Sequence, residues 1–538
     1  PLVRARKRKP LGPGRGNYVR HYSWSIVEFA ARCMYLGEMP EEANAALEEN
    51  ARHYLDNPKD INDRDSFHWH ADMVLRLVEL YGSAGSISAG RLAPETESLV
   101  LEPIWIYARS FSKLVNADYT ASQTWHIYES ENHHSMIFSL CWHFAKLAAG
   151  IDAYRELQYD DGATPEEHFR AWNEYFVVYC RERARKGMFI EMQNDDYNSF
   201  LMKGIYSFYD FGEPKVRRAA GKFLDLYWAY WAQEQLDGAQ GGGRSRIYFQ
   251  RGLLHSRAGK ALPPVWFYFA MGGPSEPRCP FLHSAFSGYR PPPVIADIAR
   301  DAEGRGTYEV RQRPLGLALA QGLHPYRVNT EKGDILRYSY CDPAFIIGTP
   351  MNRPRPLEDW TAISSQNRWQ GVIFSGACNA RIVPLVRPED NRVAMNTLYS
   401  VQSKGSLLTR KLKYHKGGAE MIVWISSEGL SKPVVEDSLV FVEAPGAYAV
   451  AGALTGGWSW KDLELPAIDH DESSLPIVGG RAMVPDDEYA PVILQVMSKE
   501  SIKSFETFKS LAKDCSVSVD GRYITCGTIY GDRLKLDL

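Results

Sequence analysis

Between residues 17 and 235, approximately, apolar positions recur at the spacing of one helical face. Ile26, Phe29, Ala30 and Cys33 form one stripe, and Met73, Leu75, Leu77, Val78 and Leu80 form another. Met136, Ile137, Leu140, Cys141, Phe144, Leu147 and Ala148 make a longer one that runs to Gly150, which reads as a C-cap. Thr164, Pro165, Glu166 and Glu167 carry the marks of a helix start: a cap residue, proline at the first helical position and acids in the first turn. Val216, Ala219, Ala220, Phe223, Leu224 and Tyr227 predict a further amphipathic helix, and no repeat of fixed period accompanies these segments.

The pattern then changes. Fourteen of the 31 prolines fall between Pro263 and Pro356, which predicts a long irregular joining region. Beyond it come short runs rich in β-branched and aromatic residues: Trp369 to Phe374, Ala380 to Val386, Ala419 to Ile425 and Leu439 to Glu443. Cys515 to Val519 and Tyr523 to Cys526 continue them, with a hairpin turn expected at Asp520 and Gly521. Helices followed by strands imply segregated layers, an α+β multidomain chain and not an alternating α/β fold. The expected division is a helical domain over 1–300 and an antiparallel β domain over 301–538, with the Pro-rich stretch joining them.

A length of 538 residues suits two or three domains. Lys and Arg number 62 against 65 Asp and Glu, a net charge of −3, which argues against a surface devoted to nucleic acid. No uninterrupted apolar run reaches the roughly 18 residues of a spanning helix, so a multi-spanning membrane protein is not expected. Aromatic residues make up 12% of the chain, enough to suggest either packing between helices or rings that lie on sugar faces. The eight cysteines contain no CxxC pair; Cys515 and Cys526 flank the expected hairpin and suit a disulfide there. The sequence begins at Pro1, which is not expected to be the natural N-terminus. The run from Arg4 to Lys9 reads as a surface arm or part of a processed leader, without the apolar core of a signal peptide.

Three polar clusters bear on chemistry. Glu129, Ser130, Glu131, Asn132, His133 and His134 stand at the mouth of the helix through Met136, with Ser130 placed to cap it. Helical spacing puts His133 above Ile137 and Leu140 on the inward stripe, where a polar group needs a partner or costs a few kcal/mol. The same spacing suits a satisfied cap with an interhelix hydrogen bond. The second cluster runs from Gly187 through Glu191, Asn194, Asp195 and Asp196 to Tyr197 and Asn198, a loop that opens on a cleft or on solvent. In the third, Gly241, Gly242 and Gly243 precede Arg244 and Arg246; it reads as an anion-binding loop or a flexible surface turn, and lacks the Lys-Ser/Thr of a P-loop. His68 and His70 are two residues apart with no compelling third ligand, so metal binding is not expected there. Asp195 and Asp196 offer carboxylates for hydrolysis, but adjacent residues rarely converge on one bond. Trp458 and Trp460 share a strand face and suit sheet packing or sugar stacking.

The order of these motifs resembles that of polysaccharide lyases of the heparinase II/III and alginate-lyase type. The resemblance rests on Ser130-Glu131-Asn132-His133 opening a helix, then Gly187 to Glu191 with Tyr197 following, then the Gly/Arg loop after an aromatic helix. Tyr338 to Gly348 and Trp369 to Phe374 look like the first β-domain strands of such enzymes. It implies an incomplete (α/α) toroid followed by a C-terminal antiparallel β-sandwich. It also implies β-elimination on a uronic-acid-containing polysaccharide, an acidic partner, and export to the periplasm or the exterior. Carried over, Asn132 neutralises the uronate carboxylate, His133 is base or charge stabiliser, Tyr197 is the acid, or both base and acid if the elimination is syn, and Arg246 or Arg244 binds a carboxylate. His134, Glu131 and Tyr206 join as substrate-binding candidates, and Tyr206 is an alternative to Tyr197. His255, His283, His324 and His415 are candidates for a β-domain histidine that some members use. The stretch Met192 to Asp196 departs from the commoner small or Ser-containing pattern, which leaves subsite specificity open. No cofactor is expected, and the sequence does not settle whether a structural metal braces the β domain. The alternatives are a hydrolase on the same helical scaffold and a non-catalytic glycan-binding protein.

Overall fold

Helices occupy the first part of the chain and strands the second, and every pairing among the named strands of the two large sheets is antiparallel. The computed structural model describes residues 22–185, 187–189, 191, 193, 197–245, 262–273, 281–312, 316–317, 326–329, 335–352, 369–386, 398–412, 420–462 and 479–538. The chain forms two units, each assembled from three stretches: Pro1–Arg185, Asp196–Leu226 and Pro274–Pro291 in one, Lys186–Asp195, Tyr227–Gly273 and Pro292–Leu538 in the other. Spacing suggested a single boundary near 300, whereas the Pro-rich stretch is itself divided. Ser287 and the backbone N–H of Gly288 donate to Asp210 in the helical unit, while Gln235 donates to the Ala299 carbonyl in the strand unit.

The helical unit contains α1 (Ser23–Leu36), α2 (Pro40–Asp56), α3 (Ala71–Tyr81), α4 (Pro94–Phe111), α5 (Glu131–Gly150), α6 (Pro165–Arg185) and α7 (Tyr197–Phe211). The apolar stripes of α1 and α3 are buried as their spacing predicts. α5 differs: every residue from Glu131 to Ala145 is buried, so it is surrounded and not amphipathic. It packs against α3, α4, α6 and α7. Gly204 of α7 permits one close approach, because a Cβ there would come 2.6 Å from Ser139 Oγ of α5. α6 opens on a reciprocal capping box, with Thr164 donating to Glu167 through backbone N–H and hydroxyl at 2.8 Å each.

In the strand unit an eight-stranded sheet runs in the order Trp458–Lys461, Gly480–Pro485, Met421–Ser426, Arg381–Val386, Gly371–Phe374, Phe345–Asn352, Ile335–Asp342 and Tyr308–Arg311. A six-stranded sheet runs in the order Leu398–Ser403, Ser406–Lys411, Val492–Ser498, Ala447–Ala453, Leu439–Glu443 and Val434–Glu436. One buried cluster draws on both: Ile347, Val372, Ile382 and Val423 come from the first, and Leu407, Val442, Ala449 and Leu494 from the second. Alternation sends Ile346, Ile373, Val383 and Trp424 to a separate cluster with Leu236 and Trp369.

A third sheet joins Val517–Asp520, Tyr523–Gly527 and Arg533–Asp537, with the expected turn at Gly521, where φ is 57°. The disulfide that the hairpin spacing would allow does not form: Cys515 and Cys526 are free thiols. They face different clusters, Cys526 packing with Ile524 and Leu534, and Cys515 lying beside Ile502 and Phe508. Among the described residues no helix is long and apolar enough to cross a membrane.

Candidate functional site

The N-terminus of α5 is organised by Ser130. Its backbone is extended, at φ −130° and ψ 167°, and its hydroxyl accepts from the His133 N–H at 3.5 Å, as a cap residue does. That hydroxyl also donates to Asn132 Oδ1 at 2.7 Å. The carbonyl end of the amide is thereby held, and its nitrogen is the donor end. Asn132 and His133 are both buried.

His133 meets a second element, the turn Phe67–Trp69 just before α3. His68 Nε2 lies 2.9 Å from His133 Nδ1, and Glu129 Oε2 lies 3.5 Å from the same nitrogen. The His133 ring lies nearly perpendicular to that of Trp69, with centroids 5.2 Å apart and planes at 86°. Trp69 stacks on Trp24 of α1 at 5.0 Å and meets Phe200 of α7 at 4.6 Å. Tyr197 and Trp24 pack against the cluster of Trp69, Met136 and Phe200. His133 and Tyr197, far apart in sequence, thus share one aromatic wall. Tyr206 lies nine residues further along α7, about 13 Å by helical rise. It is buried with its ring against Tyr289. Arg64 has its side chain 54% exposed and its Nε 3.1 Å from Glu129 Oε2.

Behind this wall lies a buried charged group. Lys203 Nζ donates to the Trp69 carbonyl at 2.5 Å and pairs with Asp72 at 3.1 Å, and His283 Nε2 pairs with Asp72 at 2.9 Å. Burial by itself raises the Asp72 carboxyl, but Lys203 and His283 outweigh it and hold it below the usual range. Burial pushes His68 and His70 down to about 3, with Lys203 acting in the same direction. Burial also lowers His283, to about 4, against the pull of Asp72. These imidazoles are therefore uncharged at neutral pH.

Other sequence candidates are engaged elsewhere. Glu131 pairs with Arg183 at 2.7 Å, and that guanidinium lies over Trp125 at 4.0 Å and Tyr179 at 4.6 Å. His134 accepts from the Tyr128 N–H at Nδ1 and meets the Tyr175 hydroxyl at Nε2, 2.7 Å away, so both ring nitrogens are bonded within the helical unit. His283, carried as a β-domain histidine, belongs to the helical unit.

In the strand unit the glycine loop is buried; the surface-turn reading of residues 241–245 does not hold. A Cβ on Gly242 would meet Glu234 Oε1 at 2.6 Å, and one on Gly243 would meet the Thr349 backbone at 2.4 Å. The absence of side chains here admits the buried Glu234–Arg337 pair (2.6 Å) and the strand Phe345–Asn352. Arg244 is buried with its guanidinium 4.9 Å from the Trp369 ring centre. Arg246, Asn194, Asp195, Asp196, His255, His324 and His415 lie outside the described residues. Glu191 is buried in the strand unit. Trp458 and Trp460 meet at 5.0 Å, pack on the inter-sheet core, and have Arg481 over the Trp460 ring.

Sequence reading set His68 and His70 aside as a poor metal pair and did not single out Trp24 or Arg64. The available signal was polar side chains inside a helical pattern, which require buried partners. Among the described residues no group of three or more His, Cys, Asp or Glu is arranged to hold a metal ion. Compared with known proteins, the chain matches no family model and no curated protein.

Proposed function

We propose that the helical unit carries a β-elimination site for a uronic-acid-containing polysaccharide, of the heparinase II/III and alginate-lyase type. The reading takes the helices as an incomplete (α/α) toroid and the two large sheets as a β-sandwich. The supporting observation is the convergence of Asn132, His133 and Tyr197: the first two open buried helix α5, and Tyr197 shares the Trp69 wall with His133. Packing favours Tyr197 over Tyr206 for the same reason.

Elimination requires the C5 proton of a uronate to leave while negative charge builds on the adjacent carboxylate. The Asn132 amide donates to that carboxylate and to the developing enolate. His133 takes the proton, the C5–H electron pair becomes the C4–C5 double bond, and the C4–O bond breaks. Tyr197 protonates the departing oxygen through its phenol hydroxyl. Arg244 and Arg246 are assigned to carboxylate binding through the family resemblance alone. An acidic polymer as substrate carries with it the proposal of an exported protein.

The test is ultraviolet absorbance during incubation with a panel of uronate polymers, because the product uronate is conjugated. A rise with one polymer is expected. New reducing ends without that rise would replace the reading with hydrolysis, and neither signal would leave a glycan-binding protein as the reading to pursue.

A further inference from the structure

Three segments of the helical unit meet in one chain of hydrogen bonds. Ser112 follows the last residue of α4, His168 stands in the first turn of α6, and Asp161 lies in the turn Tyr159–Ala163 between α5 and α6. His168 Nδ1 lies 2.8 Å from Ser112 Oγ, and His168 Nε2 lies 3.1 Å from Asp161 Oδ1. Trp172 Nε1 donates to Ser112 Oγ at 2.8 Å. Asp161 Oδ2 accepts from the Leu114 N–H at 2.8 Å, and Oδ1 also accepts from the Ala163 N–H at 3.3 Å. The Tyr159 ring lies against His168, with centroids 3.9 Å apart, and meets Trp105 of α4 at 5.1 Å.

Serine, histidine and aspartate in series have the order of a nucleophilic triad. Burial excludes that use here. Ser112 and His168 are both 0% exposed, and the Ser112 hydroxyl is also bonded by Trp172 and the Cys141 thiol. What the geometry does fix is the direction of each bond. Burial raises the Asp161 carboxyl, but the Leu114 N–H and His168 outweigh it and hold it below the usual range. An ionised carboxylate only accepts, so Nε2 carries a proton. Burial lowers His168 below its ordinary value, against the pull of Asp161, so the ring is neutral at neutral pH and Nδ1 keeps its lone pair. Ser112 therefore donates to Nδ1 and accepts from Trp172.

We infer that Asp161, His168 and Ser112 form an acid-labile clasp, which holds the turn Tyr159–Ala163 onto the ends of α4 and α6 while His168 is neutral and loosens when His168 takes a second proton. A proton on Nδ1 would face the Ser112 O–H, so the hydroxyl would have to turn away from the imidazole. The new charge would also stand out of reach of water. Opening of the turn relieves both by hydrating the ring. The titratable and charged groups around the ring are Asp161 and Tyr159 of the turn, Glu167 of its own helix and Cys141 of α5. On the α4 side Arg109 pairs with Asp160 of the same turn at 3.0 Å. No residue of the clasp belongs to the proposed elimination site.

Long-range nitrogen–proton correlations of the full chain labelled with ¹⁵N-histidine report both the tautomer and the titration of His168, with His168→Gln identifying its signals. The Nε2–H pattern is expected at pH 7, with a midpoint below ~6.5. An Nδ1–H pattern, or a midpoint at or above that value, would overturn the clasp. Amide exchange of Leu114 and Ala163, both bonded to Asp161, reads the opening. Because the His168 value is lowered in the fold, the clasp is complete above ~6.5 and weakens as pH falls toward the folded value. Corrected for intrinsic rate, exchange of the two amides is expected to rise about tenfold per pH unit below ~6.5, until His168 protonates within the fold. A flat profile would overturn the inference. His168→Gln removes the titrating ring, and the rise is expected to vanish; a rise that persists would assign it to another group. If His168→Gln does not fold, Ser112→Ala gives a second measurement. Loss of the O–H that opposes a proton on Nδ1 is expected to raise one histidine midpoint, that of His168, and no moving midpoint would remove Ser112 from the role.

Discussion

The two units bury charge to different extents: the strand unit buries the Glu234–Arg337 pair beside its glycine loop, but its inter-sheet core is aliphatic. Between the large sheets lie Ile347, Val372, Val442, Leu494 and their neighbours, and the polar knot there is neutral: Gln370 accepts from Thr349 and Ser400 and donates to Thr409. The helical unit buries ions and imidazoles: Asp72 with Lys203 and His283, Glu131 with Arg183, Arg76 with Asp210, and His68 with His133. Aliphatic burial is non-directional and stabilises wherever volume is filled. Buried ion pairs barely repay their desolvation, so they are weak evidence of stability and mark the interior where specific geometry is kept. The inter-sheet core is built for packing, and the helical unit is the one proposed to carry the chemistry.

That contrast is most exposed at Arg183. Arg183→Ala strands the Glu131 carboxylate in the core, and a loss of about 3–5 kcal/mol in denaturant-unfolding stability is expected. A loss near zero would mean that the helical interior tolerates an unpaired charge and that the contrast is false. Asn132→Ala addresses function: turnover on the identified polymer is expected to fall by about 10²–10³ with the fold intact, as for loss of an oxyanion donor. Near-unchanged turnover in a folded Asn132→Ala protein would return this polar interior to a structural role.

Acid should separate the units. His68, His70 and His283 are held at about 3, 3 and 4 in the fold, chiefly by burial, against an ordinary imidazole value near ~6.5. Below that value the unfolded chain binds more protons than the folded one, so stability is complete above about 6.5 and declines as pH falls toward the folded values. Glu79 acts with the same sign. Burial raises it, but His143 and Lys146 prevail and hold it at about 2, so its contribution is lost as pH falls from the ordinary range through that value. Hydrogen exchange, corrected for intrinsic rate, is expected to show α3 and α5 losing protection between pH 7 and 4 while the strand Val492–Ser498 keeps it. Equal losses in both would erase the distinction.

Smaller effects sharpen the other side. Ile347→Val removes one methylene from the inter-sheet core, and about 0.5–1.5 kcal/mol is expected in the same unfolding measurement. A larger loss would show that this core depends on specific shape. Cys515→Ser is expected to change stability by no more than about 0.5 kcal/mol, with or without reductant, because the thiol is unpaired. A loss of several kcal/mol confined to oxidising conditions would indicate a disulfide.

Local pattern made much of the architecture legible. The stripe Ile26, Phe29, Ala30, Cys33 is one buried face of α1, Ser130 caps α5, Thr164 and Glu167 box the start of α6, and Leu439 to Glu443 is a strand. Each follows from a period or a cap that neighbouring residues define by themselves. Asn132 and His133 were visible for the same reason, as polar side chains at a helix mouth on an inward face. Two readings of the glycine loop stayed open, and the surface turn fell only to the structure, because composition cannot distinguish glycines that bend at the surface from glycines that let a buried ion pair approach. The Cys515–Cys526 pairing stayed open in the sequence because flanking a hairpin does not decide which cluster each sulfur faces.

The sequence by itself determined which segments are helices and which are strands, where several of them begin, and which polar residues must be satisfied inside. Only the tertiary structure decided with whom they are satisfied. His133 finds His68 65 positions away, Lys203 reaches the Trp69 carbonyl 134 positions away, and His283 belongs with Asp72 in the helical unit. Periodicity records which face of an element is buried, but partners across a core are set by how whole helices pack, and that geometry is a property of the assembled chain.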